Sequence, residues 1–126
     1  MVNKRIFLSP PHMTGKEKEF FEEGFKSNWI APLGPNVDAF EKEMCNYLGI
    51  KNSCSLASGT AALHLALRIL GVSKGDYVLC PSLTFAATAN VVLYESATPI
   101  FIDVDRKNWT IDTTLLEKTI KHYKPK

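Results

Sequence analysis

The sequence has little of what marks a nucleic-acid binder, a disulfide-framed protein or a membrane protein. Fifteen basic residues against thirteen acidic ones leave a formal charge of +2 over 126 residues, which favours neither nucleic acid nor an anionic membrane as partner. The basic groupings Lys4-Arg5 and Lys118, Lys121, Lys124 and Lys126 are neither dense nor interleaved with aromatics, so they read as solvated surface. Cys45, Cys54 and Cys80 are odd in number and lack C-x-x-C spacing. They argue against a disulfide frame or a zinc site and for buried thiols in a reducing compartment, the cytoplasm. No histidines and carboxylates stand at metal-ligand spacing. The apolar run Ile6-Phe7-Leu8 is too short for a signal peptide before Pro10-Pro11. Tyr77 to Tyr94 is uncharged, yet Pro81 and several Ser, Thr and Asn residues make it a poor membrane span. Internal repeats and low-complexity segments are absent.

What is present is an ordered series of elements. Thr14-Gly15-Lys16-Glu17 fits a capping box, and Phe20, Phe21 and Phe25 form an apolar face behind it, predicting a helix to about Ser27. Trp29-Ile30-Ala31-Pro32-Leu33-Gly34-Pro35 cannot stay helical and reads as a structured loop. Val37, Phe40, Met44 and Leu48 then repeat at helical spacing, with Gly49 as the stop and Glu41 and Glu43 on the solvent side. From residue 52 strand and helix alternate: a strand over Ser53 to Ala57, a helix over Thr60 to Leu70 closed by Gly71, and a strand over Tyr77 to Cys80. A helix over Thr84 to Glu95, a strand over Pro99 to Asp103, and a last helix capped by Asp112 and reaching about His122 complete the series. Three βα units in succession predict a parallel α/β sheet, preceded by two helices. The last helix is not followed by the strand a βα unit normally supplies, the pattern of an amino-terminal portion.

Two junctions carry the chemistry. Ser58-Gly59-Thr60 lies between a predicted strand and the first turns of an apolar helix, where unpaired N–H groups and the positive end of the helix dipole favour phosphate. Gly59 allows close approach of an anion, and the Ser58 and Thr60 hydroxyls add donors. It is neither a G-x-x-x-x-G-K-[ST] loop nor a G-x-G-x-x-G fingerprint, and simple helix capping explains the tripeptide equally well. The second junction, Pro81-Ser82-Leu83-Thr84-Phe85, also falls at the carboxyl end of a predicted strand, the edge where open α/β sheets bind ligands. Phe85 can face a planar ring there, against the alternative of a core phenylalanine.

S-G-T-A-A-L-H-L-A-L, then G-D-Y-V-L-C-P-S-L-T-F-A-A-T-A-N, then P-I-F-I-D-V-D, after S-N-W-I-A-P-L-G-P-N-V-D-A-F-E, resemble the DegT/DnrJ/EryC1/StrS sugar aminotransferases over about residues 6 to 123. The resemblance implies the amino-terminal part of a fold-type I large domain in a pyridoxal phosphate enzyme, usually a homodimer. Residues 1–50 would be a helical segment with a substrate-side loop, and 51–126 an incomplete three-layer cofactor-binding domain. The reaction implied moves an amino group from an amino acid, typically glutamate, to a nucleotide-linked keto-deoxy sugar for cell-surface polysaccharide. Carried over by position, Gly59 and Thr60 would bind the cofactor phosphate with Ser58 beside them, and Phe85 would stack on the pyridine ring. Trp29 and Ile30 would belong to a loop near the sugar nucleotide.

In that family the Schiff-base lysine and the acidic partner of the pyridine nitrogen lie beyond the stretch matched here, so no residue of this chain is assigned as catalytic. Asp103 and Asp105 match the family's I-D-V-D strand end rather than the pyridine partner, and Lys74 and the carboxyl-terminal lysines match no Schiff-base position. The family's strands from this region flank a central group supplied by later sequence, which leaves a gap in the sheet. His64 reads as a packed or hydrogen-bonded histidine, His12 and His122 as surface residues, and Trp109 as a packing anchor. Two functions stand: part of an aminotransferase, inactive alone, or a non-catalytic module for a phosphate-bearing ligand or a partner protein.

Overall fold

A computed structural model describes residues 5–126. Lys4 of the amino-terminal basic pair lies outside them. Two compact units divide after Ser55. The first holds α1 (Glu17–Ser27) and α2 (Pro35–Leu48). The aromatic face of α1 forms as its spacing predicts, with the Phe21 and Phe25 rings 5.3 Å apart. Its start differs from the expected capping box. The Glu17 carboxylate accepts the Thr14 N–H and hydroxyl, each at 2.8 Å, and the Gly15 N–H at 2.8 Å. Thr14 does not cap the helix in return, and the helical turns begin only at Glu17, with Lys16 at the N-cap and no side-chain cap. Half of the box is made, and it orders the chain ahead of the helix instead of closing its first turn.

The same bonds hold the Glu17 carboxyl down to about 2, the Thr14 backbone N–H contributing most. A folded pKa below the unfolded one supplies stability that is present above the ordinary glutamate value and lost as pH falls toward the folded value. The stretch Thr14–Glu17 is therefore expected to stay ordered at neutral pH and to loosen between the ordinary value of 4.5 and about 2. Carboxyl-carbon NMR of Glu17 checks this: a midpoint at the ordinary value overturns it.

The first of the three expected strands, Ser53 to Ala57, is not formed; the segment has no ladder and Ala57 lies in a bend. The reason lies in where its polar groups go. The Ser55 N–H donates to Glu41 Oε1 at 2.7 Å and the Ser55 hydroxyl to the same oxygen at 3.0 Å, while the Ser53 hydroxyl donates to the Glu41 carbonyl at 2.7 Å. With no strand beside it among the described residues, the segment satisfies itself on α2. Glu41 is accordingly half-buried, not on the solvent side, and the Ser55 N–H followed by its hydroxyl lowers the Glu41 pKa.

The second unit contains α3 (Gly59–Ile69), β1 (Tyr77–Pro81), α4 (Ala86–Tyr94), β2 (Thr98–Ile102) and α5 (Thr113–Tyr123). The expected α/β alternation is present from α3 onward. The strands pair in parallel with Tyr77 opposite Thr98 and Pro81 opposite Ile102, and α4, the crossover between them, packs on α3 and on both strands. Val72, Cys80, Val92 and Ala97 form the buried cluster, with Leu67 and Val78 against it. α4 is apolar on nearly every face and buries Val91 and Val92, as expected of a helix between a sheet and another helix. Burial pushes the Cys80 thiol up. The expectation of buried thiols holds at Cys80; Cys45 is half-buried and Cys54 is exposed.

Asp112 caps α5 as predicted, its Oδ1 accepting the Thr114 N–H at 2.8 Å and the Leu115 N–H at 3.0 Å. Trp109 differs from the packing anchor expected. It ends a tight turn at φ +62, bonded to the Asp105 carbonyl at 2.9 Å, and its side chain is exposed. The left-handed backbone that closes the turn directs the indole away from the core.

Candidate functional site

The site begins at the first turn of α3. Ser58 is extended, and its hydroxyl accepts the Ala61 N–H at 3.1 Å while its carbonyl accepts the Ala62 N–H at 3.1 Å. The cap thus serves the third and fourth residues after Ser58 and its proton stays free to be donated outward. Among the described residues nothing accepts the N–H groups of Gly59 and Thr60. Two adjacent donors remain at the positive end of an eleven-residue helix.

Gly59 has an ordinary backbone conformation, and a Cβ placed on it would meet nothing within 4 Å. Neither packing nor φ demands glycine here. The space it leaves lies against the open N–H groups, a cradle that a side chain would fill and that suits a phosphate. A cleft of about 400 Å³ opens at this point, lined by Gly59, Thr60, Leu63, Phe85, Ala86 and Thr88. The chain therefore brings the two junctions read from the sequence onto one cleft.

Phe85 is 85% exposed and lies outside the buried cluster of the described residues. It is the N-cap of α4 with an extended backbone, which turns the ring out where the helix begins. Thr88 went unnoticed in the sequence; its position one turn after Phe85 on a helix is the signal that finds it. Its hydroxyl lies 3.0 Å from that of Thr84.

The remaining candidates are engaged elsewhere. His64 Nε2 lies 2.6 Å from Glu95 Oε1, with Arg68 at 3.6 Å from the same oxygen and the Tyr94 ring edge-on at 5.4 Å. It joins α3 to the end of α4, the bonded histidine expected. Asp103 Oδ1 accepts the Val104 N–H at 2.8 Å, and Asp105 Oδ1 the Lys107 N–H at 2.7 Å, so both carboxylates shape turns.

Trp29 and Ile30 lie in the first unit, on a hollow of about 170 Å³ shared with Phe20, Phe21, Phe25 and Asn36. The Trp29 ring packs on Gly34, where a Cβ would come within 3.0 Å of the indole and φ is +144. Gly34→Ala thus meets both a steric and a backbone penalty, more than about 1 kcal/mol together. It is expected to displace the indole and shift Trp29 fluorescence to the red in a Trp109→Phe background. An unchanged spectrum would show that the loop does not depend on this contact.

A family model matches residues 11–125, nearly the whole length. The chain belongs to the DegT/DnrJ/EryC1/StrS aminotransferase family. It is 50% identical over 123 residues to EpsN of Bacillus subtilis (strain 168), a protein named as a pyridoxal phosphate-dependent aminotransferase, covering 98% of this chain and 32% of EpsN. A GDP-perosamine synthase of Escherichia coli O157:H7 is 39% identical over 117 residues, 93% of this chain and 32% of the synthase. Among solved structures, Spr1654 of Streptococcus pneumoniae in its PLP form, named as a sugar aminotransferase, superposes with a TM-score of 0.81 at 34% identity, covering 91% of this chain and 29% of that one. The chain spans about a third of the length of these relatives. Membership of the family confirms the fold expected from the sequence, part of the fold-type I architecture of pyridoxal phosphate aminotransferases.

Proposed function

We propose that this chain supplies the phosphate-holding and ring-facing part of the cofactor site in a sugar-nucleotide aminotransferase. The observation that carries the proposal is the meeting of two unpaired N–H groups, a glycine cradle and an exposed aromatic ring on one cleft. In this reading Gly59 and Thr60 donate their N–H groups to the phosphate of pyridoxal phosphate. Ser58 fixes the helix end and donates its hydroxyl proton. The Phe85 ring covers the pyridine face and excludes water from it. The chemistry the cofactor supplies when bound is an electron sink at the amino-bearing carbon.

Residues 1–50 form the substrate side in this reading, with Trp29 and Ile30 facing a nucleotide-linked keto-deoxy sugar, and residues 51–126 belong to the cofactor domain. An amino acid, glutamate, gives the amino group, and the product serves cell-surface polysaccharide. The working protein is a cytoplasmic homodimer, and its Schiff-base lysine lies in sequence outside the third of the family that this chain spans. The name of the perosamine synthase, which speaks of a nucleotide-linked sugar, supports the substrate class. No helix among the described residues is long and apolar enough to cross a membrane.

The test is a chimera in which this chain replaces the matching third of EpsN. Incubation with pyridoxal phosphate, borohydride trapping and peptide mapping are expected to give one labelled lysine, in the EpsN-derived part. The chain alone is expected to give no single site. A chimera that folds and gives no specific adduct sinks the reading in favour of a non-catalytic binding module.

A further inference from the structure

We infer that Asp103 is a positioning residue for Phe85, acting through Ser82. The inference rests on the cofactor-facing role proposed for Phe85. The loop from Ser82 to Phe85 carries the exposed ring between β1 and α4, and a flexible loop would scatter an aromatic surface over many orientations. Its two ends are tied down. At one end the Ser82 N–H donates to the Ile102 carbonyl at 2.8 Å, and the Ser82 hydroxyl donates to Asp103 Oδ1 at 3.3 Å. At the other, the Thr88 N–H donates to the Phe85 carbonyl at 3.0 Å and the hydroxyls of Thr84 and Thr88 pair at 3.0 Å. Only Leu83 lies between the two anchors.

Asp103 is itself held in place. Its Oδ1 accepts the Val104 N–H at 2.8 Å, and its carbonyl accepts the Asp112 N–H at 3.0 Å. Those two bonds suffice for a turn after β2. The contact with Ser82 is additional and joins residues 21 apart in sequence, linking the end of β2 to the loop that bears Phe85. A ring fixed before the ligand arrives loses less freedom on binding. Asp103 therefore raises affinity without touching the ligand.

The experiment uses the EpsN chimera, perdeuterated and labelled with nitrogen-15, and its variants Asp103→Ala, Asp103→Asn, Ser82→Ala and Phe85→Ala. Asparagine keeps an acceptor oxygen at the same position. Asp103→Ala and Ser82→Ala are expected to drop the amide order parameters of residues 83–85 from about 0.85 to below about 0.6, and Asp103→Asn to leave them unchanged. Should Asp103→Ala fail to fold, Ser82→Ala decides. Pyridoxamine 5′-phosphate, which lacks the aldehyde that labels surface lysines, is then titrated by NMR. Phe85→Ala and Asp103→Ala are each expected to weaken binding several-fold, and the double variant no more than Phe85→Ala alone. Rigid amides in Asp103→Ala and Ser82→Ala, or losses that add in the double variant, overturn the inference. If Phe85→Ala leaves binding intact, the role proposed for Phe85 falls, while the order parameters still decide whether Asp103 holds the loop.

Discussion

Thr60→Pro is expected to lower the affinity for pyridoxal phosphate about 100-fold in the EpsN chimera while leaving α3 in place. Thr60 is the second helical residue, and its N–H has no acceptor among the described residues. Removing that donor sacrifices no internal hydrogen bond, and proline is tolerated in the first turn of a helix. Proline normally strains the preceding residue through its Cβ and N–H. Gly59 precedes it and has no Cβ, which relieves much of that strain. What is lost is a charge-assisted bond to phosphate, roughly 1.5–3 kcal/mol, together with the threonine hydroxyl. A combined loss of about 3 kcal/mol is near 100-fold at 1.4 kcal/mol per decade. Spectral titration with pyridoxal phosphate measures the affinity, and circular dichroism checks the helix. Thr60→Ser, which keeps both donors, is expected to bind as the parent does. Equal affinity of the proline and serine variants would show that the first turn of α3 does not hold the phosphate.

That the prediction could be framed from the sequence reflects how local the signals at α3 are. A serine ahead of glycine, an apolar run of helical period and a glycine stop place α3 to within a residue. β2 and α5 are likewise placed to within a residue, bounded by turn chemistry or, at Asp112, a cap, whereas α4 begins two residues after the expected Thr84, because Phe85 keeps an extended backbone. The misses share another cause. Ser53 to Ala57 has the composition of a strand, but a strand exists only where another lies beside it, and composition does not report a neighbour. Glu41 occupies a helix position that reads as solvated, yet it meets Ser53 and Ser55 more than ten residues away. Phe85 shows the opposite case. Its composition context argues for the core, and its place at a strand's carboxyl end argues for a ring that faces a ligand; within this chain the ring is exposed.

The stability of the second unit is expected to be unusually sensitive to Val92. Its side chain is 1% exposed and sits in the small cluster with Val72, Cys80 and Ala97. Val92→Ala removes two carbons, about 1.6 kcal/mol of transfer energy, and adds a cavity term. Alanine's higher helix propensity returns about half a kcal/mol. The net loss of about 2 kcal/mol is large for a unit this small and corresponds to a fall in melting temperature of roughly 10 °C. Leu93→Ala on the same helix removes a larger side chain that is 56% exposed, and is expected to cost less than about 0.5 kcal/mol. Thermal unfolding of the two variants by circular dichroism separates them. If they melt together, the exposed face of α4 is covered in solution by a second surface and the burial seen within this chain is not the burial that matters. If Val92→Ala alone melts early yet binds pyridoxamine 5′-phosphate normally well below its midpoint, the core supports the site only by holding α4 in place. That outcome is the expected one, because the donors at Gly59 and Thr60 belong to the backbone of α3 and Phe85 is held by the bonds of its own loop.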